Sequence, residues 1–169
     1  MSLAQSLLPE FDHEMAGIRR VLERIPADRF DYRPHPKSFT MGHLASHLST
    51  VPAWAASTME TTELDFALPE VQAMMPKPST SPQQLLATFD QGVVRARAAI
   101  AAARDEDLAV TWSGKSHGTT LFAMPRAAVL RGFVMNHAIH HRAQLTVYLR
   151  LLDLPVPALY GPSADEGTL

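Results

Sequence analysis

The residues of this chain best suited to chemistry are its histidines. Four of its eight histidines fall in two pairs spaced i, i+4: His43 with His47, and His137 with His141. On a helix that spacing puts two imidazoles on one face with Cβ atoms about 6 Å apart, within reach of a common ion. Imidazole nitrogen binds divalent transition metals at ~2.0–2.1 Å, and three such ligands leave a coordination position open, as catalytic sites do. The chain contains no cysteine. That excludes disulfides, thiolate nucleophiles, iron–sulfur clusters and cysteine-based zinc sites together, and leaves histidine as the main ligand for a borderline metal. No glutamate adjoins the pairs in the His-Glu-x-x-His order of zincins. Serine, histidine and aspartate are plentiful, but no strand–turn–helix elbow arranges them for acyl transfer.

The elements that must position these residues are amphipathic helices. From Ala127 to Leu152, the residues Ala127, Leu130, Val134, Ala138, Leu145, Tyr148 and Leu152 form one apolar stripe. At ~100° per residue, His141 lies about 20° from Val134, His137 about 60° and His140 about 120°. So His137 and His141 face the core and His140 does not. A second helix runs from Met41 toward Glu60, with Leu44, Leu48, Val51 and Ala55 inward. There His47 sits about 70° from the stripe centre and His43 about 110°, so the wheel prefers His47. Pro52 predicts a kink one turn later. A buried, unpaired imidazole costs on the order of 1–3 kcal/mol. A lone core histidine ordinarily settles that cost with one hydrogen bond. Two on one stripe, facing a third from another helix, are better served by an ion that uses all three lone pairs.

The remaining segments offer little competing chemistry. A first helix spans Leu3 to Ile25 and ends at Pro26; its Glu10-x-x-His13 has the spacing of di-iron bundles, but His13 points away from the stripe and no second copy exists. Arg29 to Phe39, with its proline-containing stretch Tyr32–Ser38, is an extended connector. Thr61 to Pro82 is irregular, broken by Pro69, Pro76, Pro78 and Pro82, and Met74 and Met75 are expected to plug a core edge. Ser81 caps a third helix reaching about Arg104, with Leu86, Phe89, Val93 and Ile100 inward and Asp90 as a structural carboxylate near its edge. Between Asp105 and Phe122 lies a connector with a possible two-strand excursion around Gly114–Gly118, a loop without P-loop spacing. The tail from Asp153 to Glu166 suggests a strap on the bundle or on a partner.

At 169 residues the chain fits a single domain, 1–169. A net charge of −2 argues against a nucleic-acid surface. No apolar run spans a bilayer and no signal peptide is visible, so no membrane partner is expected and the cytoplasm is favoured.

These residues together resemble the DinB-like (DinB/YfiT) superfamily of metal-binding four-helix bundles. The matching stretches are Tyr32–Ser38, Leu44-Ala45-Ser46-His47, Asn136-His137 with His140-His141-Arg142-Ala143-Gln144, and Tyr160–Glu166. Ala143 departs from the glycine of many relatives, another small residue. The resemblance implies an all-α fold, a four-helix bundle of up-down-down-up topology with extended connectors and a proline-rich C-terminal tail, commonly homodimeric. It also implies a divalent metal ion (nickel, zinc or iron) held by His47, His137 and His141. The expected function is a metal-dependent enzyme of thiol S-transferase or hydrolase type, using a small-molecule thiol or another small substrate. The alternative is a non-catalytic metal-binding or ligand-sensing bundle, which a fourth ligand such as His43 would favour. A haem bundle with facing histidines is a third reading.

Overall fold

The first helix begins where its sequence supplies a cap. Ser2 accepts from Gln5 N while the Gln5 side chain accepts from Ser2 N, and helix α1 runs Leu3–Leu22. This computed structural model describes residues 2–75 and 77–167; Met1, Pro76, Thr168 and Leu169 lie outside the described residues, and with Pro76 one of the four expected chain breaks. Helix α2, Met41–Glu60, starts on the Thr40 hydroxyl, which accepts from His43 N, and continues through the buried Pro52. Helix α4, Pro82–Ala102, starts on Ser81 with proline in its first turn. The last helical stretch has three parts: α6 Arg126–Val129, a π-helical segment Leu130–Asn136, and α7 His137–Leu151.

Leu7, Phe11, Ile18 and Leu22 of α1 meet Leu44, Leu48 and Val51 of α2, Leu85, Phe89 and Ile100 of α4, and Leu130, Val134, Ala138 and Leu145 of the last stretch in one core. Two hydrogen bonds fix α2 antiparallel to that stretch. Tyr148 Oη donates to Phe39 O just before α2 (3.1 Å), and Arg126 Nη2 donates to Thr61 O just after it (2.7 Å). The level of His47 on α2 therefore coincides with His137–His141 on α7.

The expectation of an all-α four-helix bundle does not hold. Strands β1 (Glu63–Asp65), β2 (Thr111–Ser116) and β3 (Thr119–Pro125) form a mixed sheet in the order β1-β2-β3, parallel between β1 and β2 and antiparallel between β2 and β3. The hairpin coincides with the expected two-strand excursion, while β1 lies inside a segment expected to be irregular. Its three residues are too few to show a period. It forms because Leu64 pairs with Gly114, far away in the chain, and because the Asp65 carboxylate organises the hairpin turn. Asp65 Oδ1 accepts from His117 N (3.1 Å) and Ala67 N (2.9 Å), and Oδ2 from Gly118 N (2.6 Å). These bonds hold the Asp65 carboxyl below its usual pKa, and they hold His117 and Gly118 at positive φ, 50° and 76°.

The short helices α3 (Pro69–Met74) and α5 (Asp105–Ala109) complete the connectors. Met74 and Met75 are 72% and 51% exposed, so they do not plug the core. Trp112 is buried and donates through Nε1 to Thr61 Oγ1. Asp90 is engaged by Arg19. The tail straps onto its own chain: Glu166 pairs with Arg24 just after α1, Asp165 with Arg150 of α7, and Ser163 Oγ donates to Val156 O while accepting from the amides of Asp165 and Glu166.

Candidate metal centre

His47 projects from the second turn of α2, and His137 and His141 from the first two turns of α7. Their neighbours on the same helices, Leu44, Leu48, Ala138 and Leu145, are buried, which fixes the rotation of each helix and leaves the three imidazoles half-buried at its edge. His47 Nε2 is 2.8 Å from His137 Nε2, and His141 Nε2 is 3.1 Å from the same atom. The three rings meet edge to face, at centroid separations of 4.5–5.1 Å. Among the described residues this is the cluster of His, Asp and Glu side chains that could hold a metal ion, its ligand atoms all within 4.8 Å of one another.

The donor set fits a divalent cation better than a hydrogen-bonded cluster. One imidazole nitrogen carries either a single lone pair or a single N–H. His137 Nε2 therefore cannot serve both of its neighbours well: whether it carries the lone pair or the hydrogen, at most one of the two contacts is a well-directed hydrogen bond. At metal–nitrogen distances of ~2.0–2.1 Å, adjacent ligands sit about 2.9 Å apart at right angles and about 3.3 Å apart in a tetrahedron. The two observed separations lie close to that range.

His141 Nδ1 lies 2.8 Å from Gln144 Oε1. A carbonyl oxygen only accepts, so Nδ1 carries the hydrogen and Nε2 presents its lone pair to the cluster; outer partners of this kind orient metal-binding imidazoles. Burial first, and then the neighbouring imidazoles of His141, His137 and His43, lower the pKa of His47 to about 4. Burial followed by His141 and His140 lowers that of His137. At His141, burial lowers the pKa against the opposing pull of Gln144. Near neutral pH all three are the neutral imidazoles that coordination requires.

The structure places the other histidines elsewhere. His43 is exposed and stacks on Phe39 at 4.5 Å and 7°. His140 is exposed, its ring 5.0 Å from that of His141. His13 stacks on Tyr160, His35 Nδ1 accepts from Lys37 N, and His117 sits in the hairpin turn.

Two site residues were given no role from sequence. Gln144 is three positions after His141, so the i, i+3 rule would have found it. Trp54 is two helical turns after His47, and its ring lies 5.6 Å from His47 and 5.4 Å from His137.

Comparison with known proteins gives a consistent result. The model of the DinB family matches residues 1–168. YrdA, an uncharacterized protein of Bacillus subtilis (strain 168), is 26% identical over 163 residues, covering 94% of this chain and 89% of that protein. A DinB-like protein from Bacillus cereus ATCC 10987 superposes with a TM-score of 0.71 at 21% identity, over 92% of this chain and 97% of that one. The DinB-like protein YjoA of Bacillus subtilis gives 0.70 at 18% identity, over 93% and 99%. At these identities the likeness to solved structures is one of fold.

Proposed function

The chain belongs to the DinB family, and from that premise we propose that it is a divalent-metal-dependent enzyme of the thiol S-transferase or hydrolase type. The observation that carries this reading is the convergence of His47, His137 and His141 Nε2 with Gln144 fixing the tautomer of His141. The three histidines would hold the ion. Bound there, a divalent ion supplies Lewis acidity that brings the pKa of a thiol or water toward neutrality. His43, the fourth ligand that the sequence offered, is exposed and stacks on Phe39, which supports an open site over a purely structural one. The chain has no thiol of its own, so a nucleophilic thiol would arrive as a small molecule. The proposal includes a homodimer, supported by Val147 and Leu151, exposed one turn apart on α7.

The test begins with metal analysis of protein purified without a histidine tag, with X-ray absorption to count the ligands. Turnover is then measured with a panel of low-molecular-weight thiols and electrophiles. We expect stoichiometric metal with imidazole ligation, and loss of both metal and turnover in a His47→Ala variant that keeps its helical circular dichroism. Activity that survives in the metal-free variant refutes the mechanism. Bound metal without turnover across the panel reassigns the protein to non-catalytic metal binding. Light scattering that shows only monomer at micromolar concentration refutes the dimer.

A further inference from the structure

The side of the histidine cluster toward the C-terminal end of α2 is lined by aromatic rings that face solvent. Trp54 and Phe133 are each 37% exposed. The antiparallel register set by Tyr148–Phe39 and Arg126–Thr61 puts residue 54 of α2 at the level of residue 133 of the π-helical segment. Phe133 also precedes His137 by four residues, the spacing that puts two side chains on one helix face, so the two rings stand on the histidine side of opposite helices. Both are anchored from behind. Trp54 leans on the rings of His47 and His137. Phe133 stacks nearly parallel on Phe122 of β3, at 4.5 Å and 11°. Phe122 in turn lies over Gly114, where a Cβ would come within 2.5 Å of its ring. The sheet thus fixes one wall of the site. On the other side of the cluster stand His43, His140 and Gln144, all exposed and polar.

We propose that Trp54 and Phe133, backed by Phe122, form the binding face for the flat apolar part of a small-molecule ligand whose Lewis-basic end reaches the three histidines. This rests on the metal reading above and adds the class of ligand: an aromatic or conjugated compound with a donor head. Aromatic rings left facing water gain by being covered with apolar surface. A ring laid on another ring gains further from stacking. A wall already held by its neighbours binds without first paying to order itself. Ligand sites commonly have this composition, mostly apolar and aromatic with a few convergent polar atoms.

The experiment uses the full-length, metal-loaded protein and two chelators with the same head, benzohydroxamate and acetohydroxamate. Metal content is measured first by mass spectrometry, and both affinities then by calorimetry. The phenyl compound is expected to bind about tenfold tighter or more, the scale of burying and stacking one ring. Trp54→Leu and Phe133→Leu, which keep apolar bulk but remove the flat surface, are expected to reduce that ratio severalfold. In a Trp112→Phe background, benzohydroxamate should quench the remaining Trp54 fluorescence. Equal affinities in the wild type, or a ratio that survives both substitutions, overturns the proposal while leaving the metal reading intact. A protein that takes up no metal overturns the metal reading and this inference with it. A wild-type dimer that Trp54→Leu dissociates, with no phenyl preference, makes the face a contact between two copies of the chain and overturns the ligand assignment.

Discussion

His137 Nε2 is approached by two other imidazole nitrogens and can satisfy only one of them with a proton. That single-atom conflict is the strongest reason to place a cation among the three rings. It also makes Gln144 consequential, since its carbonyl selects the tautomer of His141 that directs a lone pair inward. Gln144→Leu is predicted to weaken metal binding about 10–100-fold, the usual effect of losing an outer partner, while leaving thermal stability nearly unchanged; competition against a chromophoric chelator measures it. The pH dependence of the metal-free protein follows from His47. Its pKa is about 4 in the fold, lowered by burial, against about 6.5 for a free imidazole. Across that window the unfolded chain binds more protons than the folded one. Stability from this group is therefore complete above about pH 6.5 and is lost as pH falls toward 4. Urea midpoints of the metal-free protein should be lower at pH 5 than at pH 7.5, and the difference should shrink in His47→Gln.

Among the elements, the sheet has the most specific requirements. Gly114 lies where β2 must pass beneath Phe122 and beside Phe66, and its Cβ would meet their rings at 2.5 Å and 3.1 Å. Gly114→Ala is predicted to cost about 1–3 kcal/mol, the range for overpacking, and to loosen Phe133 because Phe122 is its support. Urea denaturation followed by Trp112 emission reads the first effect, and the accessibility of Phe133 to a hydrophobic dye reads the second. Within α2, Gly92 of α4 approaches Ala53 and Pro52 closely, a Cβ there lying 3.1 Å from Ala53 N. Pro52, the proline at which sequence predicts a kink, takes part in this tight α2–α4 contact.

At the scale of the whole molecule, a network built on a buried ion pair joins the first helix, the last helix and the tail. Arg142 Nη1 donates to Glu14 Oε2 (2.8 Å), and its Nη2 donates to Tyr160 Oη (2.5 Å), which donates on to the Glu14 carboxylate. The Arg142 and Glu14 side chains are 3% and 7% exposed. Gly17 makes room for the guanidinium, since a Cβ there would come 2.8 Å from Arg142 Nη1. Removing one charge leaves the other buried without its partner. Glu14→Leu is therefore predicted to cost about 3–5 kcal/mol, and Glu14→Leu with Arg142→Met to recover a large part of that loss. Equilibrium urea unfolding of the two single variants and the double variant checks this, with equal losses in all of them counting against it.

What the sequence determined by itself is what periodicity can carry. Apolar residues at helical spacing fixed which faces of α1, α2 and α7 turn inward, and so put His47, His137 and His141 near the core and His43 and His140 outside it. The wheel survived a π-helical segment that breaks its period because both histidines share the α-helical register of α7 with the buried stripe residues Ala138, Leu145 and Tyr148. Tertiary structure decided the rest, wherever a residue's role depends on something distant in the chain. Glu63–Asp65 is a strand only because β2 is there to pair with it. Trp54 and Phe133 flank one site only because α2 runs antiparallel to the last helix. Glu14, a charged residue of α1, is buried because Arg142 and a tyrosine from the tail reach it. Local pattern records how a segment meets solvent, and only packing records which segments meet each other.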